Sequence, residues 1–475
     1  MNLVRMRFWT IVATVCLLST MLLPSESPRT DSSLSISLHG LAASRVLAEG
    51  PDVVYLPLTF SNFEMIWPNP YGMENRDDNL LHMGAQAGLR WVRVPLYWDD
   101  TEGLDDFYWW TPNDDRLQEI ADQHMEPIVY IWKTPPWAVE NPANDPYRCH
   151  APKDVQKLAD FLTDLVNRYK GPPYNVKYWE VYNEEDMRDF GMIGCLGDDA
   201  PAYTNMLKAA YQAIKAADPF AQVLIGGLTM VDPIGTNPNF LAEVIANGGG
   251  NSFDIVSFHF YEGQETASYT CADPPACTIT GLAGKAKMVR DVLAQNNLQK
   301  PLMATEIAGR CFPENQPCDQ ASLERQSDLV IKYNVRGMAL ELKALIWYTL
   351  NYPGFYNSSL LDEQGQPKPA FRTYQTLSAE LSNVRFVRAS DFGTSGIEGY
   401  VFQIDASPQE AWVLWNTATG TKHVNFSVAE LGHDGMRAVD KYGVERQLTD
   451  NNDDGVPGDG QITLAVAESP LIVNP

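Results

Sequence analysis

Across residues 62–383 the sequence switches eight times between a short apolar run and a longer stretch of helical periodicity. The runs are Asn62–Trp67, Trp91–Pro95, Pro127–Trp132, Val176–Tyr182, Gln222–Gly227, Ile255–Tyr261, Leu302–Glu306 and Ala344–Leu350. Helical stretches such as Asp77–Ala87, Pro152–Tyr169, Ala202–Ala217, Leu282–Asn296, Leu323–Gly337 and Ala370–Ser382 lie between them. Short runs that stay apolar are strands buried on both faces, the condition of a parallel sheet whose crossovers are helices. Eight such units match an α/β fold of the (β/α)8 TIM barrel type better than an open sheet. No glycine-rich phosphate loop follows the first run, which weighs against a nucleotide-binding sheet.

After Asn383 the helical period stops. Arg385–Ala389, Gly399–Ile404, Ala411–Trp415, Lys422–Phe426, Arg437–Val439 and Ile462–Val466 alternate as strands do, punctuated by turn residues. Residues 384–475 therefore predict a small C-terminal β-sandwich. At the other end Arg5 and Arg7 precede the apolar run Phe8–Leu23. Residues 1–23 have the form of a signal peptide or an uncleaved anchor, and 24–61 of a tether. The expectation is a secreted or extracytoplasmic protein, membrane-associated only if that segment is retained.

The chain has 475 residues, 45% of them apolar and 11% aromatic, which is an ordered globular composition. Sixty acidic against 35 basic side chains give a formal charge of -25. Such a surface repels phosphate backbones and anionic lipid, so nucleic acid is excluded as a partner and a neutral substrate is favoured. Export gives the cysteines a meaning. Cys149, Cys195, Cys271, Cys277, Cys311 and Cys318 predict disulfides, with Cys271/Cys277 and Cys311/Cys318 close enough for local bridges and Cys149 left with Cys195. Zinc-ligand spacing is missing, and no metal or cofactor is expected. Asp450-Asn451-Asn452-Asp453-Asp454-Gly455 resembles half a calcium loop, but Gln461 stands at the twelfth position and no helices flank it, so it reads as a polar turn.

Two carboxylates end two of the predicted strands: Glu184 in Tyr178-Trp179-Glu180-Val181-Tyr182-Asn183-Glu184, and Glu306 in Pro301-Leu302-Met303-Ala304-Thr305-Glu306. Strand alternation puts Glu180, Tyr182 and Glu184 on one face, and likewise Leu302, Ala304 and Glu306, then Ser257, His259 and Tyr261, then Trp91, Arg93 and Pro95. At the C-terminal ends of barrel strands Glu184, Glu306, Tyr261 and Arg93 then converge. Glu180 is expected to be a buried, paired structural carboxylate. Paired carboxyls in one cavity suit glycosidic-bond cleavage, one ionised and one protonated. Trp137 and Trp347 are candidate platforms for sugar rings.

The stretch Trp179-Glu180-Val181-Tyr182-Asn183-Glu184 resembles the Asn-Glu motif ending strand four in clan A glycoside hydrolases, family 39 above all, with family 5 a near relative. The resemblance implies that Glu184 is the acid/base, that Asn183 holds the substrate 2-hydroxyl and that Glu306 is the nucleophile. Trp91-Val92-Arg93-Val94-Pro95 is similar to the clan's strand-two arginine segment, Ser257-Phe258-His259-Phe260-Tyr261 to its strand-six His-x-Tyr, and Trp347 to its strand-eight tryptophan. Two departures stand out: Glu185 where proline is usual, and Ile307 where family 39 has tryptophan. The implied protein is a retaining enzyme cleaving β-linkages in a plant-type glycan such as xylan, glucan or mannan fragments. The rival reading is a non-catalytic carbohydrate-binding or wall-attached protein on a degenerate barrel.

Overall fold

The computed structural model describes residues 69–474 apart from the short stretches 76–79, 143–148, 189–195, 231–234, 265–267, 271–277, 312–317, 353–356, 406 and 451–457. Eight parallel strands form the first sheet: β1 (Tyr71–Glu74), β2 (Trp91–Tyr97), β3 (Glu126–Trp132), β4 (Tyr178–Asn183), β5 (Gln222–Gly227), β6 (Val256–Tyr261), β7 (Leu302–Ala308) and β8 (Leu345–Trp347). Their order is β5-β4-β3-β2-β1-β8-β7-β6, and parallel bridges Leu224↔Ile255 and Leu228↔Phe258 join β5 to β6. The result is the expected TIM barrel. The seam between β5 and β6 is its least regular joint, resting on isolated bridges where the other neighbours share a ladder.

The expected first strand, Asn62–Trp67, lies outside the described residues; Tyr71–Glu74 holds the first barrel position. Helices cover the barrel. Those at Val155–Tyr169, Ala200–Ala217 and Gln320–Ala339 each start on an aspartate, Asp154, Asp199 and Asp319, whose carboxylate accepts a first-turn N–H. Such caps satisfy donors that the helix itself leaves open. No helix among the described residues is long and apolar enough to cross a membrane.

Inside the barrel, side chains stack in layers. The floor is apolar: Trp91, Ile128, Leu224, Ile255, Met303, Ala344 and Ile346, with Tyr178 against them. Above it, towards the strand C-terminal ends, come Glu74, Arg93, Tyr130, Glu180, Ser257 and Thr305, all buried. Alternation carries the second set from the first, since Arg93, Tyr130, Glu180 and Ser257 each stand two residues beyond a floor residue.

The C-terminal strands are β9 (Val384–Ala389), β10 (Ile397–Ile404), β11 (Glu410–Asn416), β12 (Lys422–Ser427), β13 (Gly435–Asp440), β14 (Glu445–Thr449), β15 (Gln461–Val466) and β16 (Leu471–Asn474). They make an antiparallel sheet β9-β10-β11-β16-β13-β14 and a separate pair β12-β15. The larger sheet is apolar on both faces. Val401, Trp412, Leu414, Ala438 and Val473 pack against β12 and β15, while Phe402, Val413, Trp415, Val439 and Ile472 join the core of the barrel. Paired charges ring that joint: Arg336 grips Glu398 at 2.7 Å, Arg437 grips Glu380 at 2.7 Å, and Lys441 reaches Asp328 at 2.7 Å. Barrel and sandwich therefore form one compact unit.

Cys311 and Cys318 form the expected local disulfide, with Cα atoms 5.4 Å apart. Cys149 is also disulfide-bonded. Cys195, Cys271 and Cys277 lie outside the described residues, as does most of the Asp450–Gly455 turn, so those pairings and that turn are not described.

Candidate active site

Arg93 is the hub. Its buried guanidinium donates from Nε to Glu180 Oε2 at 2.6 Å, and from Nη1 to Glu74 Oε2 at 2.8 Å and Glu306 Oε1 at 2.7 Å. Nη2 donates to Asn183 Oδ1 at 2.5 Å. The Tyr130 ring lies 4.0 Å from the guanidinium centre, covering it from one side. Burial opposes the cation, but Glu180, Glu74 and Glu306 overcome it and hold its pKa well above the ordinary value. Glu180 takes further bonds from Ser257 Oγ at 2.7 Å and Thr305 Oγ1 at 3.0 Å, so it is a satisfied, paired carboxylate beneath the site. One arginine thus fixes side chains from four different strands.

The two strand-end glutamates meet. Nδ1 of His259 lies 2.7 Å from Glu184 Oε1 and 3.4 Å from Glu306 Oε2. One oxygen of each carboxylate and an imidazole nitrogen all fall within 4.8 Å of one another. The Tyr261 hydroxyl donates to Glu306 Oε2. Glu306 therefore accepts from a guanidinium and a phenol, both of which favour its ionised form. Burial pushes the Glu184 carboxyl up to about 8, and the nearby Asp186 adds to it. Burial raises Glu306 as well, with His259 and Arg93 working against it. Burial and Asp186 thus favour the proton on Glu184, while the guanidinium and the phenol favour the charge on Glu306. Burial also lowers His259 to about 4, so the ring is neutral at pH 7. Its Nε2 has no hydrogen-bond partner and faces Gly227. A buried N–H without an acceptor costs more than a bare lone pair, which assigns the proton to Nδ1, pointed at the carboxylates.

Local backbone departures build this arrangement. On β4 the alternation breaks: Tyr182 and Glu184 have φ of 68° and 56°, the left-handed region that L residues avoid. The Tyr182 hydroxyl consequently pairs with Thr134, 2.5 Å away, in the loop after β3. Asn183 and Glu184 both turn towards the cavity instead. The expectation that Tyr182 shares the face of Glu180 and Glu184 is thereby corrected. On β7 the inward residues are Met303 and Thr305, not Leu302 and Ala304. The ladder then shifts register between Ala304 and its next partner on both sides, so that His259 pairs with Glu306 and Trp347 with Ile307. That bulge brings Glu306 inward directly after Thr305.

Trp347 does not reach the pocket. Ile346 faces the barrel interior, so its neighbour faces out: the buried Trp347 indole donates to Ser358 O at 2.8 Å and packs edge-on to Tyr374 of the outer helix. It is a core residue. Tyr348, the next residue, stands instead beside Tyr261, ring centroids 6.0 Å apart. Trp137 is half-buried in the loop after β3, with Nε1 donating to Glu102 O at 2.9 Å and its ring edge-on to Trp98. Sequence reasoning missed Glu74, which sits on an unpredicted short strand, and Asp186 and Tyr348, for which parity after strands four and eight was the available signal.

A carboxylate pair held at the C-terminal mouth of this barrel defines the protein's class: it is a glycoside hydrolase of clan A. The family model described as Cellulase (glycosyl hydrolase family 5) matches residues 48–338, and the chain belongs to that family. Among solved structures, the fold is similar to a family 39 glycoside hydrolase from Bacteroides cellulosilyticus WH2, with TM-score 0.65 and 18% identity over 86% of this chain and 81% of that one. It is similar also to a monomeric β-xylosidase from Caulobacter crescentus CB15 (TM-score 0.57, 15% identity, 86% and 96% covered). A GH30 endoxylanase from Clostridium papyrosolvens C71 gives TM-score 0.55 at 12% identity, covering 86% and 95%. No curated protein matches the chain.

Proposed function

We propose that the enzyme hydrolyses β-glycosidic bonds with retention of anomeric configuration. The observation that carries this is the carboxylate spacing: one oxygen of Glu184 and one of Glu306 lie within 4.8 Å of each other, closer than the separation that seats both the sugar and an attacking water. Inverting enzymes hold their carboxyls roughly 6.5–9.5 Å apart to admit one, retaining enzymes about 5–5.5 Å. Glu184, carrying the proton, donates it to the leaving oxygen as that bond breaks. Glu306, ionised and gripped by Arg93 and Tyr261, attacks the anomeric carbon and forms the glycosyl-enzyme. Water, deprotonated by Glu184, then displaces Glu306 and restores both carboxyls. Asn183, held by Arg93 beside Glu306, suits a bond to the hydroxyl next to the reacting carbon.

The substrate class that best suits the acidic surface is a neutral β-glycan, a xylan, glucan or mannan fragment. Relatives described as endoxylanase, β-xylosidase and glucosidase support it. The Cys311–Cys318 bridge supports an exported protein. Glu306→Gly tests the nucleophile. Turnover should fall on the order of 10⁴-fold or more, and azide should restore it by entering the vacated space to give a glycosyl azide of inverted configuration. Turnover unchanged in Glu306→Gly contradicts the assignment.

A further inference from the structure

Lys285 is a buried lysine for which the mechanism above has no use. It sits in the first turns of the helix Gly281–Gln295, on the outside of the barrel, and reaches inward. Its Nζ donates to Thr229 O at 2.6 Å, His259 O at 2.5 Å and Gln264 Oε1 at 3.2 Å. Thr229 follows β5 and His259 lies on β6, so the ammonium spans the seam that only isolated bridges close. The last backbone bond across it is from His259 N to Leu228 O, 2.9 Å. Lys285 takes over from there, bonding the carbonyl of His259 itself and that of Thr229, one residue beyond Leu228.

The far side of the same seam is tied to the acid/base. Asp186, two residues beyond Glu184, accepts from Thr229 N at 3.0 Å, Thr229 Oγ1 at 2.9 Å and Met230 N at 2.6 Å. Gln264 Oε1 also accepts from Tyr261 N at 3.3 Å, linking the lysine to the tyrosine that holds Glu306. The charged or titratable groups facing the ammonium are Asp186 and Glu184 from the end of β4 and His259 from β6. A helix lysine needs no such burial for packing. An ammonium out of water is costly unless oxygens surround it, as three do here.

From this geometry we infer that Lys285 is a positioning residue for catalysis: it clamps the β5–β6 seam so that His259 stays against Glu184. The inference rests on Glu184 being the acid/base. Burial lowers Lys285 itself to about 7 while Asp186 and Glu184 oppose the shift, so its three-donor form, matched to the three oxygens around it, belongs to neutral and lower pH.

The test is the kinetics of Lys285→Met beside the NMR signal of the His259 Nδ1 proton. In Lys285→Met kcat at the optimum should fall about tenfold with KM little changed, and the His259 proton signal, set by its bond to the Glu184 carboxyl, should shift. Lys285→Arg, which still offers donors to Thr229 O and His259 O, should return the signal towards its original position and recover part of kcat. A Lys285→Met enzyme that is slower with the His259 signal unmoved makes Lys285 merely structural and overturns the inference. Glu184→Gln separates the underlying assumption: the basic limb of kcat/KM, near 8 in the unsubstituted enzyme, should disappear there, and its persistence would refute the Glu184 role, not the lysine's. Should the Lys285 variants not fold, the lysine ¹³Cε resonance of the intact enzyme gives an independent reading. It should titrate with a midpoint near 7, and a His259 signal that does not follow that titration contradicts the clamp.

Discussion

The floor and the upper layer of this barrel are built by the same strands, two residues apart, yet obey opposite rules. The floor, with Trp91, Ile128, Leu224, Ile255, Met303 and Ile346, is held chiefly by apolar contact, the Trp91 indole adding one bond to Asn69 O at 3.0 Å. Apolar contact is non-directional, so shape and volume matter and individual atoms do not. Above it Glu74, Arg93, Glu180, Asn183 and Glu306 are buried with formal charges or strong dipoles, and every contact is aimed. One guanidinium faces three carboxylates. The lower layer makes the barrel stable, whereas the upper layer uses that stability to hold groups that would otherwise be in water.

The largest break in that contrast is expected at its hub. Arg93→Met removes the cation and leaves Glu74, Glu180 and Glu306 facing one another, which should cost about 3–5 kcal/mol of stability along with activity. The pH sign follows. Carboxylates without their counter-charge have folded pKa values above their unfolded ones, so the variant should gain stability relative to the parent as pH falls. Thermal melts across pH 5–8 check both points, and a loss independent of pH would mean that the cation acts only through packing.

Next comes the floor. Met303→Ala opens a cavity among apolar neighbours and should cost about 2–4 kcal/mol, with kcat/KM of the folded enzyme nearly unchanged. A large drop in kcat/KM would show that the layers are not separable. The smallest effect on stability, and the sharpest on geometry, belongs to Gly227→Ala. A Cβ there would lie 2.1 Å from His259 Nε2 and 2.9 Å from Thr305 Oγ1, so the ring must move off Glu184. We expect kcat to fall roughly 10–100-fold, in line with a displaced catalytic group, while the melting temperature changes little.

The same contrast explains what the sequence disclosed. Long apolar runs flanked by helical periodicity marked most barrel strands, and chemistry-bearing residues at their ends marked Glu184, Glu306, Arg93, His259 and Tyr261. Alternation failed where the backbone leaves the extended region. The left-handed Tyr182 and Glu184 and the bulge at Thr305 are set by the surrounding barrel, and nothing in the local residues announces them. Trp347 was misplaced because its residue type suggested a sugar platform, although the parity of Ile346 turns it outward. Glu74 was overlooked because its strand is four residues long and begins on Tyr71-Gly72, with no apolar run to flag it. Lys285 was hidden by its helix, where a lysine ordinarily reads as solvent-facing.

Glu184 and Glu306, brought together by strand four's turn and strand seven's bulge, are proposed to act by double displacement. Proton NMR of the first sugar released from an aryl β-glycoside, or from a β-glycan fragment, tests it most directly. The β-anomer should appear first, with the α-anomer growing in only by mutarotation. Initial release of the α-anomer would contradict it.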